Sequence, residues 1–512
     1  MLWCRRERVS VSDVWSLDPR TGRRVQLVAA STSVSGVDAA AKAAKGAAGE
    51  LVRSGRATRA LLLRRIAAVV EERADKLLEV ADRETALGSP RLPGELARTA
   101  GQLHLFADIV EDGSYQEAVI TDARTDVEPP VPDLRRLLVP LGPVAVFGAS
   151  NFPFAFSVLG GDTAAALAAG CPVVVKCHPG HPETSVLMLE AWRQAAAETG
   201  VREDAVQLVF GTDAGRQLVE HPHIRAVSFT GSLAVGRELH DLAAGRPDPI
   251  PFYGELAGMN PLIVTPGAAQ QRAEEIGRGA AASFTLNGGQ FCTKPGLLFV
   301  PAGPDGDRLI AAAAAYVTKM MPVVMLTAQT RRAYQAGLEA LLSHPRVTAV
   351  ARVADPAGGT LDPDYEGSCL ATPALLELSS SDLDRSVLQE CFGPVAVVAR
   401  YESTSRMIDG LADLEGALAA AVHSTKDETE LTAAITEAVL PKVGRIVYNG
   451  YPTGVAVTAA MTHGGPWPAT SNALHSSVGP SAIRRFLRPV TYQNAPQGIV
   501  PEELRGRIGS RR

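Results

Sequence analysis

The sequence predicts an α/β fold in which parallel sheets are wound with helices in two successive units. Between residues 144 and 229, short apolar runs alternate with segments of helical periodicity, which is the pattern of βαβ units and a parallel sheet. The same rhythm restarts after Glu255. At 512 residues the chain exceeds what one hydrophobic core organises, so two or three domains are expected.

Taken in order, residues 36 to 85 read as helical. Ala39 to Ala48 is alanine-rich with Asp38 as its N-cap, and Thr58 to Val80 spaces Leu61, Leu62, Ile66, Val69, Val70, Leu77 and Leu78 at helical intervals. Pro90 and Pro93 break that pattern, and a further helix spans Leu96 to Ile109. Thr121 to Pro132, with three prolines and several acids, reads as a loop. Then Val144 to Phe147, bounded by Pro143 and Gly148, begins the alternation. A helix from Asp162 to Ala169 closes at Gly170. A strand at Pro172 to Lys176, a helix at Glu183 to Glu198, a strand at Val206 to Phe210, a helix at Ala214 to Glu220 and a strand at Ala226 to Phe229 follow. After Glu255 come a strand at Leu262 to Val264, a helix at Ala268 to Phe284 and a strand at Gly296 to Val300. The apolar segment from 310 to 326 carries Lys319 and Pro322, so it reads as a buried helix and a loop rather than a membrane span. The basic tail from Arg505 to Arg512 is expected to lack fixed structure.

Composition narrows the function classes. A chain 46% hydrophobic and 21% charged is an ordinary globular protein, and a net charge of -5 gives no field to draw nucleic acid or an anionic membrane. Six cysteines with no C-x-x-C pair read as reduced thiols of a cytoplasmic protein. The N-terminal run Met1 to Arg8 has charges but no apolar stretch behind them, which argues against a signal peptide.

The chemistry centres on Cys292, in the run Asn287-Gly288-Gly289-Gln290-Phe291-Cys292-Thr293 with Pro295 and Gly296 just after, a composition suited to a shaped loop. A lone cysteine is usually a small buried hydrophobe. A cysteine nucleophile needs a group to take its proton or to activate a later water, and Glu255, 37 residues earlier, can serve. Taken singly, Asn151 before Phe152-Pro153 shapes a turn, Glu255 caps a helix or pairs with an arginine, and Glu390 is a plain loop carboxylate.

Four segments in order change that reading: Phe147-Gly148-Ala149-Ser150-Asn151-Phe152-Pro153-Phe154, Phe229-Thr230-Gly231-Ser232, the Glu255–Cys292 pair, and Gln389-Glu390-Cys391-Phe392-Gly393-Pro394. Together, over roughly residues 15 to 495, the chain resembles the aldehyde dehydrogenase superfamily. The resemblance implies two Rossmann-like parallel-sheet domains plus a small oligomerisation segment. Residues 1–256 would form the dinucleotide-binding domain, with about 122–142 in the oligomerisation segment. Residues 257–450 would form the catalytic domain, 451–495 would return to the first region, and 496–512 would be a tail. It implies that Cys292 attacks an aldehyde to give a thiohemiacetal and then a thioester, that Asn151 and the Cys292 N–H hold the oxyanion, and that Glu255 is the base. A homodimer or homotetramer acting on a small-molecule aldehyde, with no nucleic acid or membrane partner, is expected.

No G-x-G-x-x-G fingerprint follows the first strand. The strand-to-helix run Phe229 to Gly236 resembles the family's own phosphate site, with Gly231, Ser232 and Gly236 as its cofactor residues and a helix N-terminus for the anion. Lys176, at a strand end, would meet the adenosine ribose. Glu390 would hold the nicotinamide ribose, with Phe392 beside the nicotinamide. Many NAD-preferring members carry a glutamate three residues after that lysine, where this chain has Pro179, and His178 and His181 lie nearby. NADP is the preferred expectation and NAD the alternative. The runs Asn151 to Ser157, Gly160 to Thr163, Lys176 to Pro182, Pro452 to Val455, His463 to Pro466, Ser477 to Gly479 and Arg484 to Pro489 resemble the branch acting on 2-oxoglutarate semialdehyde. A fatty-aldehyde branch shares parts of them. For the substrate's far carboxylate, Ser283, Thr285 and the polar loop at 453 to 463 are the expected donors; Arg484, Arg485 and Arg488 would equally bind a structural carboxylate at a subunit contact. The rival classes are a non-catalytic scaffold, which would lack Cys292, Asn151 or Glu255, and an acylating enzyme passing its thioester to coenzyme A, which would lack the Glu255 base.

Overall fold

Five strands, Val206–Val209, Val173–Lys176, Val144–Phe147, Ala226–Thr230 and Phe252–Glu255, lie side by side in that order, and every pairing is parallel. The computed structural model describes residues 13–256, 258–353, 369–496 and 498–505. The expectations for Met1 to Arg8 and for the tail beyond Arg505 lie outside the described residues. Side chains alternate between the two faces of this sheet: Val144, Val146, Val173 and Val175 join a core with Leu63, Ile66, Leu103 and Trp192, while Ala145, Phe147, Val174 and Val227 join another with Leu218, Leu239 and Phe252. A sheet buried on both faces needs apolar residues at every position, which is why these strands read as continuous runs.

A second sheet has seven strands in the order Thr348–Arg352, Ala374–Ser379, Val395–Tyr401, Pro295–Pro301, Asn260–Val264, Ala417–His423 and Val443–Tyr448. All its pairings are parallel except the first, which is antiparallel. It too is covered on both faces, with Leu297 and Phe299 on one side and Leu298 and Val300 on the other. The chain then returns: Leu487–Gln493 pairs antiparallel with Leu134–Pro140, whose other edge carries Val119–Thr121. The α/β class and the parallel sheets are therefore as the sequence predicts. Among the described residues no helix is long and apolar enough to cross a membrane; the segment from 310 to 326 holds the end of helix Pro304–Val317 and the short strand Val323–Val324.

Three local expectations change. The first helix, Val34–Arg53, is capped by Ser33, whose Oγ accepts from the Gly36 N–H at 3.2 Å; Asp38 lies inside it, paired with Lys42 at 2.7 Å. Ser33 wins because its extended backbone lets the hydroxyl face the first free N–H groups. The stretch from Thr58 to Val80 is two helices, Gly55–Glu72 and Ala74–Thr85, parted at Arg73 without a glycine or proline to announce it. Pro93 sits in the first turn of helix Arg91–Asp112, where a missing N–H leaves no bond unmade, so it starts that helix instead of breaking one.

One buried ion pair fastens the returning segment. Arg485, 3% exposed, donates to Asp162 Oδ1 at 2.7 Å and to Ser228 Oγ at 3.1 Å. Arg485 thus does bind a structural carboxylate, but one within its own chain, and Arg484 pairs with Glu117 at the surface. Asp162→Ala strands a buried guanidinium and is expected to lower unfolding free energy by about 3–5 kcal/mol. Chemical denaturation measures this; a loss below about 1 kcal/mol would show the pair to be dispensable.

Candidate active site

Glu255 is the last residue of its strand, at the carboxyl edge of the five-stranded sheet. Cys292 lies in the loop between helix Pro266–Thr285 and strand Pro295–Pro301. That loop turns through Asn287, Gly288 and Gly289, all at positive φ (48°, 69° and 65°). A Cβ at Gly289 would run into the Gly393 carbonyl oxygen, so the Cys292 loop and the Glu390 segment are pressed together there. Asn260, 1% exposed on the neighbouring strand, donates through Nδ2 to the carbonyls of Cys292 (2.8 Å) and Lys294 (3.0 Å) and accepts from the Ala419 N–H at 3.0 Å. Lys294 in turn donates to the carbonyls of Cys391 (3.0 Å) and Val395 (2.7 Å). The backbone of the Cys292 loop is therefore tied to three strands of one sheet.

Three groups converge. Cys292 Sγ lies 3.6 Å from His463 Nε2, which lies 2.9 Å from Glu255 Oε1; Ser477 Oγ donates to Glu255 Oε2 at 3.0 Å. Glu255 and His463 are each only 4% exposed. Burial acts to raise the Glu255 pKa, but the His463 charge and bond, with bonds from Cys292 and Ser477, hold it below the usual carboxylate range. Burial, and then the Glu255 charge and hydrogen bond, push the Cys292 thiol well above its ordinary value. Both shifts favour a neutral thiol beside a charged carboxylate, and the charged carboxylate is the form that can accept a proton.

Asn151, 9% exposed, donates one amide N–H to the Gln290 carbonyl at 2.9 Å. A primary amide has a second N–H to offer an oxyanion. Phe152 packs edge-on against Phe291, ring centroids 5.8 Å apart, so the Asn151 segment and the residue before Cys292 share one wall.

Lys176, Gly231 and Ser232 lie along the same carboxyl edge, while Glu390 and Phe392 come just before strand Val395–Tyr401 of the second sheet. Lys176 stands level with Phe147 and Val209, Gly148 N–H donates to the Lys176 carbonyl at 3.1 Å, and Gly231 N–H to the Glu255 carbonyl at 3.1 Å. Ser232 is the N-cap of helix Leu233–Ala244, exposed, with extended backbone and no cap bond from its side chain; the first turn carries no acid. A free hydroxyl on an open, uncharged helix N-terminus fits a diphosphate. A Cβ at Gly231 would lie 2.6 Å from the Phe229 ring, and one at Gly236 would meet Leu256. Gly236 is buried, so its part is to let the helix pack closely on the sheet, not to face a ligand. Glu390 is raised to about 7 by burial, with Lys294 opposing. Phe392 is half-buried and Pro179 exposed. Burial disfavours the charged form of both histidines: His181 is buried with Nε2 2.8 Å from the Ala149 carbonyl, and His178 stacks on it at 5.4 Å.

Residues 6–487 match the aldehyde dehydrogenase family. The chain belongs to that family. It is 41% identical over 473 residues to the alpha-ketoglutaric semialdehyde dehydrogenase of Acinetobacter baylyi, covering 92% of this chain and 88% of the relative. It is 44% identical over 453 residues to alpha-ketoglutaric semialdehyde dehydrogenase 2 of Azospirillum brasilense, covering 88% of this chain and 85% of the relative. A glyceraldehyde-3-phosphate dehydrogenase from Methanocaldococcus jannaschii, solved complexed with NADP, shares the fold at a TM-score of 0.79 and 18% identity, over 95% of this chain and 99% of that one.

This aldehyde dehydrogenase is an oxidoreductase acting on the aldehyde group. Sequence reasoning missed two residues of its site. Asn260 carries no motif; only its place on the central strand reveals it. His463 stands in the His463-Gly464-Gly465-Pro466 run, but the 453-to-463 loop was expected to serve the substrate carboxylate, and the His463 ring faces Glu255 and Cys292 instead. The other expected carboxylate donors are committed elsewhere: Ser283 Oγ and Thr453 Oγ1 lie 2.5 Å apart, and Thr285 donates to the Ala281 carbonyl at 2.7 Å within its own helix.

Proposed function

We propose that this aldehyde dehydrogenase oxidises 2-oxoglutarate semialdehyde to 2-oxoglutarate, with Cys292 as nucleophile and NADP or NAD as oxidant. The substrate reading is carried by identity of 41% and 44% to two alpha-ketoglutaric semialdehyde dehydrogenases over most of each chain. The reaction reading is supported by the part-exposed Cys292 thiol and the buried Glu255 carboxylate and His463 imidazole, whose ligand atoms lie within 4.8 Å of one another. The Cys292 thiol gives up its proton to solvent and the thiolate adds to the aldehyde carbon. Asn151 and the Cys292 N–H receive the oxyanion; a donor of this kind is typically worth about 10²–10³ in turnover. Lys176 and Ser232 at the carboxyl edge, with Glu390 across from them, would hold NADP or NAD, which would supply the hydride acceptor for oxidising the thiohemiacetal to the thioester. Glu255, oriented by His463 and Ser477, then draws a proton from water as the water attacks that thioester and passes it to the departing sulfur, freeing the acid and the thiol. Retention of Glu255 favours water over coenzyme A as acceptor. The antiparallel sheet of Val119–Thr121, Leu134–Pro140 and Leu487–Gln493 would be the oligomerisation segment of a cytoplasmic homodimer or homotetramer.

Purified protein mixed with 2-oxoglutarate semialdehyde, succinate semialdehyde, glutarate semialdehyde and a long-chain aldehyde, with reduced nicotinamide followed optically, tests this. The highest kcat/KM belongs to 2-oxoglutarate semialdehyde; a long-chain aldehyde turned over better would place the enzyme in the fatty-aldehyde branch.

For the cofactor, nothing acidic stands at Pro179 to repel a 2′-phosphate, and NADP is the preferred reading. Pro179→Glu is expected to weaken NADP far more than NAD. Two charges about 4 Å apart repel by on the order of 4 kcal/mol at an effective dielectric of about 20, before screening and loop relaxation. A surviving 1.4 kcal/mol is about a tenfold change in the ratio of dissociation constants. An unchanged NADP/NAD ratio, measured by fluorescence titration, would remove position 179 from the 2′-site and with it the preference.

A further inference from the structure

Three arginines stand around the aromatic wall and the thiol, and two of them are committed. Arg91 donates to Glu95 Oε2 at 2.6 Å and to the Asn151 carbonyl at 3.0 Å, with its guanidinium 4.3 Å from the Phe152 ring centroid. Arg445 donates to the carbonyls of Gly454 (2.8 Å) and Pro452. Arg98 is different. It is part-buried on helix Arg91–Asp112, its Nε is buried without a hydrogen-bond partner, and its guanidinium lies 5.8 and 5.5 Å from the ring centroids of Phe152 and Phe156.

A carboxylate one helical turn away could have neutralised it. Glu95 does not, because its Oε1 already accepts from the N–H groups of Phe154 (2.8 Å) and Ala155 (2.9 Å) and its Oε2 is taken by Arg91. Arg98 also lies close enough to the site to feel it, since charge on Cys292 and on Glu255 acts on it. Burial still outweighs the nearby charges, of which Glu95 is the largest, and lowers the Arg98 pKa, while its Nε is left without a hydrogen-bond partner. A planar fork of N–H donors is the group that grips a carboxylate, and two aromatic rings flank the Arg98 guanidinium on one side. Those rings belong to Phe152 and Phe156, 5.2 Å apart, and Phe152 in turn packs on Phe291, next to the nucleophile. A linear five-carbon aldehyde acid places its carboxylate about 5 Å from its aldehyde carbon. Its methylenes would run along the wall of Phe152, Phe156, Phe291 and Val478.

We propose that Arg98 receives the remote carboxylate of the substrate and makes the site selective for aldehydes that carry one. This rests on reading the enzyme as a dehydrogenase of acidic semialdehydes, and it supplies the carboxylate anchor that Ser283, Thr285 and His463 do not.

The test measures kcat/KM for 2-oxoglutarate semialdehyde, glutarate semialdehyde and the uncharged pentanal with wild type, Arg98→Met and Arg98→Lys, each checked for cofactor binding and thermal unfolding. For Arg98→Met, the preference for the better carboxylated aldehyde over pentanal is expected to fall about 100-fold, mostly through KM, with pentanal changed less than about threefold. Arg98→Lys keeps the charge but not the fork, and is expected to recover part of the preference. An unchanged ratio, or an equal loss on all three aldehydes, overturns the proposal, because either shows that Arg98 does not meet the charge. If wild type favours glutarate semialdehyde over its 2-oxo relative, the substrate reading fails while the Arg98 ratio still decides this one.

Discussion

Cys292→Ala leaves a folded protein with no measurable aldehyde oxidation. Without sulfur no thiohemiacetal forms, and loss of a covalent nucleophile removes on the order of 10⁶ in turnover in enzymes whose groups act as a unit. The structural cost is small, because the residue is part-exposed in a loop and its carbonyl, which Asn260 grips, survives the change. Circular dichroism and cofactor binding should match wild type. Cys171, Cys177 and Cys391 make the contrast: burial raises their thiols to about 11, about 12 and about 11, and none adjoins Glu255. Changed singly to serine or alanine, each is expected to keep most activity. A residual rate in Cys292→Ala above roughly 10⁻³ of wild type would refute the covalent route.

Glu255→Gln separates the two halves of the reaction. The amide keeps the shape and a bond to His463 but cannot accept a proton. Deacylation, which needs water activated, is expected to slow by about 10²–10⁴. Acylation is not expected to fall as far, because the Glu255 charge and hydrogen bond are among the causes that raise the Cys292 thiol, and their removal brings the thiolate within easier reach. Rapid mixing should then show a burst near one equivalent of reduced cofactor followed by slow turnover. The pH dependence follows with the same sign: alkylation of Cys292 by iodoacetamide rises with pH as the thiol ionises, and in Glu255→Gln that rise is displaced to lower pH. No burst and no turnover would place Glu255 at thiol activation instead. A wild-type rate would remove it from the chemistry.

Much of this was legible before any coordinates. The strands at 144–147, 173–176 and 226–230 announce themselves because both faces of their sheet are buried, which forces unbroken apolar runs. Gly170 marks a helix end since it alone tolerates the φ of 94° found there. Cys292, Glu255 and Asn151 were visible through glycine-rich or proline-bearing surroundings in a fixed order, and the structure brings them to one place through the contacts of Asn151 with Gln290 and of Glu255 with His463. The break at Arg73 was not visible, because helix periodicity continues across it and only packing parts the two helices.

The sequence by itself determined the α/β class and the order of the segments that carry the family resemblance, and from these the candidate cysteine and carboxylate, because each depends on residues close along the chain or on the two-residue period of a strand. The tertiary structure alone decided who stands beside them. His463 reaches Glu255 across 208 residues, Asn260 reaches the Cys292 carbonyl from a neighbouring strand, and Glu95 is taken by Arg91 and two backbone amides, leaving Arg98 unspent. Hydrogen bonds and charges act over a few ångströms of space whatever the chain separation, and strand order sets which distant residues come within that range.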